Sequence, residues 1–129
     1  MAGLTDPQIR CVVAYYPLTD IAALGDLYGP GSPETELIGG HSSHRPELAR
    51  DASPINHVTA ASPPCLLVHG DADKLLPASQ SESMHARLTA AGAQSTYRPV
   101  PGADHCFDGY VGVSGLIAEA VDYLRAHLG

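Results

Sequence analysis

Three short runs of apolar and β-forming residues divide this chain. They are 11–16 (CVVAYY), 65–69 (CLLVH) and 95–100 (STYRPV), and a Pro or a Gly follows each of them. Runs of this length, bounded by turn-forming residues, predict three β-strands. Pro99 lacks the N–H that a sheet ladder needs, so we expect the third strand to end there or to lie at an edge.

Apolar residues at helical spacing follow the second apolar run, residues 65–69. Met84, Leu88 and Ala91 recur at intervals of three or four residues. Residues 79–82 (SQSE) form a capping-box pattern, which predicts that the helix begins at Ser79. Gly92 follows as a natural left-handed stop. We therefore predict a helix from 79 to 91.

The last segment of the chain predicts a longer amphipathic helix. Ser114 is expected to be its N-cap. Apolar side chains recur along it at the spacing of one helix face. These are Leu116, Ile117, Ala120, Val121, Leu124 and Leu128. We therefore predict an amphipathic terminal helix.

Residues 25–64 differ from the rest of the chain. They are rich in Gly, Pro, Ser and His and show only short apolar clusters. Forty residues exceed an ordinary connection, so we predict an irregular, cap-like excursion with short helices around Glu34–Ile38 and Pro46–Ala49. Residues 52–58 (ASPINHV) resemble a turn that returns the chain to the sheet.

The resulting order is strand, excursion, strand, helix, strand, helix. Strands that alternate with helices predict an α/β fold, with about three parallel strands flanked by helices, in a single domain over residues 1–129. In such sheets the loops that follow the strands meet at one edge, where ligand chemistry is found.

Composition narrows the function classes. The net charge is −7 and the pI is near 5.3, which argues against nucleic acid or an anionic membrane as a partner. No apolar run has the length of a membrane span, and residues 1–10 lack the apolar core of a signal peptide. Cys11, Cys65 and Cys106 suggest no disulfide framework, so a reducing cytoplasm is the default expectation.

Two of the predicted loops carry groups suited to catalysis. Asp71 and Asp73 follow the second strand, and His105 follows the third. Neighbouring parallel strands would bring an acid and a histidine together, and a carboxylate beside an imidazole fixes its tautomer and stabilises its charged form. We therefore predict an Asp–His pair, with its atoms at hydrogen-bonding distance.

These two motifs resemble the end of an α/β-hydrolase. The string PPCLLVHGDADKLLP, followed about thirty residues later by PGADHCF, is similar to the esterase/lipase group that includes acetyl-esterase-like and feruloyl-esterase-like enzymes. The segments VVAYYPLTDI and SPINHV also resemble family segments. The resemblance implies that Asp73 is the acid and His105 the base of a Ser-His-Asp triad.

The family's nucleophile is missing from this sequence. The family places its Ser in a G-x-S-x-G elbow upstream of the Asp and the His, and no such string occurs here. The nearest, Gly112-Val-Ser114-Gly115, has the wrong spacing and follows His105. The His-Gly-Gly pattern of the oxyanion loop is also absent. The resemblance implies that Met1 falls in or just after the helix that follows the elbow.

The implied parent activity is serine-dependent hydrolysis of a carboxylic ester, which requires no cofactor and no metal. Two alternatives remain open: a non-catalytic truncated or split fragment that binds a partner chain, and a prolyl-oligopeptidase-type peptidase of the same fold. The strand that carries the nucleophile would normally pair with residues 11–16. We therefore expect a second copy or the missing N-terminal half to cover that strand.

The other polar residues favour structural roles. Asp71 is expected to close its own turn by side-chain hydrogen bonds. His69, at the end of an apolar strand, is expected to be a hydrogen-bonded structural residue. His41 and His44 lack a third metal ligand, Cys106 is poorly placed to react with its neighbour His105, and Tyr15 and Tyr16 suit a core or a pocket wall.

Overall fold

The protein is described by a computed structural model over residues 2–25 and 31–129. Three strands form a parallel sheet in the order β1-β2-β3: β1 (Val12–Tyr15), β2 (Cys65–Gly70) and β3 (Ser95–Val100). Val12 pairs with Cys65, and Gly70 pairs with Val100. The predicted α/β fold class, with three parallel strands flanked by helices, is confirmed. Pro99 lies within β3, which is an edge strand of this sheet.

Six α-helices and two 3₁₀ turns are present in the described part of the chain. The α-helices are α1 (Ala2–Thr5), α2 (Ile21–Leu24), α3 (Pro33–Ile38), α4 (Pro46–Ala52), α5 (Ser79–Ala90) and α6 (Val113–Leu128), and the 3₁₀ turns are Pro54–His57 and His105–Phe107. Helices α3 and α4 confirm the two short helices expected in the excursion, and both begin at a proline, whose fixed φ suits the first helical position. Residues 26–30 of the excursion lie outside the described residues.

Strand β2 is buried along its whole length because helices cover both faces of the sheet. On one face, Leu66 and Val68 pack in a cluster with Leu116 of α6. On the other face, Cys65 and Leu67 belong to a cluster that includes residues of α5. A separate cluster of Ile21, Ile38 and Ala49 joins the helices α2, α3 and α4. The excursion therefore shares a small core with α2, which precedes it.

Two predicted helix caps are wrong. Helix α5 begins at Ser79 as predicted, but the capping box is wrong, because Ala78 is the N-cap and no side chain caps this end. The N-cap of α6 is Gly112, which leaves Ser114 inside the helix. The predicted stop at Gly92 agrees with the structure, because its φ is +86° and the N–H of the next residue donates to Leu88 O at 3.0 Å.

The predicted apolar face of α6 is only partly buried. Leu116 and Ala120, one turn apart, are buried against the sheet, whereas Ile117, Val121 and Leu128 are exposed. A three-stranded sheet offers room for only a narrow stripe of this helix. The predicted amphipathic terminal helix is confirmed, with a buried stripe narrower than its apolar face.

Candidate active site

The loop after β2 folds around the side chain of Asp73. Its Oδ1 accepts hydrogen bonds from the backbone N–H groups of Leu75 at 3.0 Å and Leu76 at 2.7 Å. Such a local carboxylate turn is typical of Asp in a tight loop. The Asp73 side chain is fully buried, and its second oxygen, Oδ2, remains for a partner outside the loop.

That partner is His105, in the loop after β3. The distance from His105 Nδ1 to Asp73 Oδ2 is 2.9 Å, within the predicted hydrogen-bonding range. A carboxylate only accepts, so Nδ1 carries the proton and donates it. Among the described residues none hydrogen-bonds to Nε2, and the His105 side chain is 26% exposed. The arrangement leaves a basic nitrogen directed away from the acid and open to a reacting group.

Two further aspartates form hydrogen bonds between the loop after β2 and the loop after β3. Asp104 Oδ1 accepts from the backbone N–H of Lys74 at 2.8 Å and of His105 at 2.7 Å. These two hydrogen bonds hold the pKa of Asp104 below its ordinary value, with Lys74 giving the larger effect. Asp71 Oδ1 accepts from the N–H of Gly102 at 2.7 Å. Asp71 thus bridges to the histidine loop, and the expectation that its side chain closes its own turn is wrong; Asp73 does that.

Strained backbone surrounds the imidazole. Tyr16, Cys106 and Phe107 have φ values of 41°, 59° and 60°, in the left-handed region that non-glycine residues rarely adopt. Packing holds them there: the Tyr16 ring lies 4.8 Å from that of His105 and 5.1 Å from that of Phe107, between centroids. Strain of this kind persists where the surrounding structure over-determines it, and it clusters at functional sites.

Tyr16 contributes an aromatic wall to the imidazole. Burial raises the pKa of its hydroxyl, and a hydrogen bond with Cys106 raises it further. The Cys106 side chain itself is exposed. The raised pKa keeps the Tyr16 hydroxyl protonated beside His105.

His69, near the end of β2, lies beneath the loop that carries Asp73 and is completely buried. Its Nδ1 lies 2.8 Å from Ser81 Oγ, and its Nε2 lies 2.8 Å from the carbonyl oxygen of Leu76. Both ring nitrogens are thus hydrogen-bonded, as expected for a structural histidine. Nε2 also lies 3.2 Å from Asp73 Oδ2.

A cavity of about 410 Å³ opens beside His105. Its wall is largely apolar, from Leu18, Pro33, Leu75 and Leu76. Glu34 also lines it, and Glu34 Oε2 is buried without a hydrogen-bond partner in the described part of the chain. Ligand pockets are commonly of this size and mostly apolar, so the cavity suits a small ligand held against His105.

His41 and His44 do not form part of a metal centre in the described residues, where no group of three or more His, Cys, Asp or Glu side chains could hold a metal ion. Their rings lie 6.0 Å apart between centroids, on the excursion. In the same ranges, no helix is both long enough and apolar enough to cross a membrane.

Sequence reasoning missed two residues that position the site. Asp104 could have been recognised as an N-cap residue directly before the short turn at His105. The second is Gln80, a buried residue of α5 whose Oε1 accepts from the backbone N–H of Thr19 at 2.9 Å and of Asp20 at 2.8 Å. Gln80 Nε2 also donates to Asp20 O. These bonds fix the loop after β1, and nothing in the local sequence signals them.

Comparisons with known proteins identify the family of this chain. Residues 2–88 match the BD-FAE family model. Esterase LipQ of Mycobacterium tuberculosis is 33% identical in an alignment of 124 residues that covers 92% of this chain and 30% of LipQ. Esterase LipC of the same organism is 34% identical in an alignment of 126 residues that covers 84% of this chain and 31% of LipC.

A solved structure, described as a truncated form of carbohydrate esterase from gut microbiota, is also similar. It superposes with a TM-score of 0.80 at 29% identity, covering 92% of this chain and 42% of the other. The chain thus spans about 30% of the length of the curated relatives it matches. It belongs to the BD-FAE family, an esterase-like family with the α/β-hydrolase fold.

Proposed function

We propose that this chain supplies the acid and the base of a Ser-His-Asp carboxylic-ester hydrolase, with Asp73 as the acid and His105 as the base. The observation that carries the proposal is the 2.9 Å contact between His105 Nδ1 and a fully buried Asp73 carboxylate, with His105 Nε2 left open. The esterase relatives support an ester as the substrate in preference to a peptide.

In the proposed reaction, a serine hydroxyl from outside this sequence attacks the acyl carbonyl. His105 Nε2 takes the hydroxyl proton as the new O–C bond forms, and Asp73 stabilises the resulting imidazolium. When the bond to the alcohol breaks, His105 returns the proton to the leaving oxygen. Water, activated in the same way, then releases the acid and restores the serine. The oxyanion donors also belong outside this chain, because no His-Gly-Gly loop is present.

The test is a reconstitution. The chain alone is expected to show no nucleophile-dependent hydrolysis of p-nitrophenyl acetate and no labelling by a fluorophosphonate. Fusing it behind the segment of LipQ that precedes the matched region, which supplies the relative's upstream half, should restore turnover.

In the active fusion, His105→Ala is expected to lower kcat by up to about 10⁶-fold and Asp73→Asn by about 10⁴-fold. The matched controls are His44→Ala and Asp108→Asn, at exposed positions outside the pair. A fusion that hydrolyses the ester equally well without His105 would overturn the proposal. Labelling of the unfused chain by the fluorophosphonate would reveal a nucleophile within these 129 residues.

We also propose that the outer edge of β1 is covered by another chain, either a second copy or an N-terminal half that carries the nucleophile. Strand β1 pairs only with β2 in the described structure, and its four residues are only half-buried. An edge strand with open N–H and C=O groups is a template for further pairing. Light scattering at micromolar concentration should show association; a monodisperse monomer with slow hydrogen exchange over 11–16 would contradict this.

A further inference from the structure

We infer that the buried His69 is a positioning residue for the proposed acid, fixing the Asp73 carboxylate so that it holds His105 in one tautomer. This inference rests on the proposed function of the Asp73–His105 pair. It assigns a role to a side chain that touches no substrate and that the sequence alone marks as structural.

The proton positions on His69 follow from its neighbours. Nε2 faces two groups that only accept, the Leu76 carbonyl at 2.8 Å and Asp73 Oδ2 at 3.2 Å. Nε2 must therefore carry a proton. Nδ1 faces the hydroxyl of Ser81 at 2.8 Å, which can donate to it. The neutral Nε2–H tautomer gives both ring nitrogens of His69 a hydrogen-bond partner, Ser81 at Nδ1 and Leu76 O at Nε2.

His69 acts on Asp73 at both carboxylate oxygens. Its Nε2–H bond holds the carbonyl of Leu76, whose own N–H donates to Asp73 Oδ1 at 2.7 Å. The same N–H edge lies 3.2 Å from Oδ2, the oxygen that accepts from His105. Oδ1 is held by two backbone N–H groups, and Oδ2 is held by His105 and lies against the Nε2 edge of His69, so the carboxylate cannot rotate without losing a donor.

Asp73→Asn provides the reference state. Because Oδ1 accepts two backbone N–H groups, the asparagine carbonyl must take that position and its NH₂ group must take the place of Oδ2. The NH₂ group would then face His105 Nδ1 and force it to become an acceptor. His105 should therefore change to the Nε2–H tautomer, as expected when a triad aspartate becomes asparagine.

The experiment measures the tautomer of His105 in the ¹⁵N-labelled chain at neutral pH, by long-range ¹H–¹⁵N correlation, with His105→Ala for assignment. Wild type should show the Nδ1–H form, and Asp73→Asn the Nε2–H form. His69→Phe, which keeps a ring but removes the donor, should shift the His105 signals part of the way to the Asp73→Asn values. His69→Gln, which restores an N–H donor, should return them toward wild type.

The control is Leu88→Ala, a fully buried core truncation outside the site. It should lower stability and leave the His105 tautomer unchanged, which separates positioning from general destabilisation. If Asp73→Asn leaves the His105 tautomer unchanged, the proposed acid–base pair fails. If Asp73→Asn changes it and His69→Phe does not, only the role of His69 fails.

A second measurement decides the matter even if His69→Phe does not fold. In wild type, His69 Nε2 should carry a proton, and that proton should exchange slowly because the ring is buried. An unprotonated Nε2 on His69 would overturn the inference directly, since His69 would then present no N–H to Leu76 O or to Asp73 Oδ2.

Discussion

Gly70, the last residue of β2, lies against the backbone of Ala103 so closely that no side chain fits between them. A Cβ added to Gly70 would lie 2.2 Å from Ala103 O and 3.0 Å from Asp104 O. The N–H of Ala72 also donates to Ala103 O at 3.1 Å. The loop that carries Asp73 and the loop that carries His105 are therefore in direct backbone contact. Only a glycine at position 70 permits so close an approach.

Gly70→Ala should destabilise the protein by about 3 kcal/mol, because backbone must move to relieve the overlap. The displacement acts on the loop that carries His105, so the Nδ1–H signal of His105 should weaken as well. Chemical denaturation measures the first effect and NMR the second. Gly115→Ala is the control: open space surrounds that glycine in α6, so alanine should stabilise by up to about 1 kcal/mol. Equal stability of Gly70→Ala and wild type would contradict the close approach.

Asp104→Ala should lower the stability of the protein and loosen the Asp73–His105 contact, because Asp104 joins the N–H groups of Lys74 and His105. The pKa of Asp104 is lowered in the folded protein, so its contribution is present above the ordinary value of 3.8 and is lost as the pH falls through the lower, folded value. Denaturant midpoints for wild type and Asp104→Ala should therefore converge at low pH.

The control for Asp104 is Asp108→Ala, since Asp108 is exposed and its carboxylate accepts only from the neighbouring Gly109 N–H among the described contacts; its backbone bond to Asp104 remains in the variant. A stability difference for Asp104→Ala that stays constant down to low pH would show that the carboxylate charge is not involved.

Gln80→Met should cost about 2–5 kcal/mol, because it removes the acceptor of two backbone N–H groups, those of Thr19 and Asp20, and leaves them without their partner. Gln94→Met, at an exposed position, should change stability by less than about 0.5 kcal/mol. The loop after β1 should also exchange its amide hydrogens faster in Gln80→Met. If both variants unfold at the same denaturant concentration, the buried Gln80 network contributes nothing.

Cys65 should resist alkylation in the folded protein while Cys106 reacts. Burial raises the pKa of Cys65 from 9.0 to about 11, with a smaller effect from Cys11, so at pH 8 only about one in a thousand Cys65 side chains is thiolate. Cys106 is exposed. Iodoacetamide treatment followed by mass spectrometry should find Cys106 modified first and Cys65 modified only after unfolding. Equal rates for these two thiols would contradict the burial of Cys65.

The raised Cys65 pKa also predicts that the folded protein loses stability at alkaline pH. The unfolded thiol ionises first as the pH rises above 9.0, so the free energy of unfolding should fall between pH 9 and about 11. Cys65→Ala lacks this titration and should show a smaller fall over that range.

The strands and the Asp73–His105 pair could be predicted from sequence because each depends on a short motif. Apolar runs bounded by turn residues fix the strands, and parallel pairing brings the loops together. The cap of α5 could not be predicted, because its polar side chains serve tertiary contacts: Ser81 bonds to His69 and Gln80 to Thr19. The exposed face of α6 likewise depends on the width of the sheet, which no local pattern encodes.

Asp73 and His105 lie in the loops that follow β2 and β3 and stand 32 positions apart. Loop-closure entropy grows with separation along the chain, so this contact costs less chain entropy than one between residues from opposite ends of the protein would. The pairing of β2 with β3 is the same event that brings His105 to Asp73. On the proposed function, one strand pairing thus assembles the two proton-handling residues, and a nucleophile-bearing segment would have only to dock beside them.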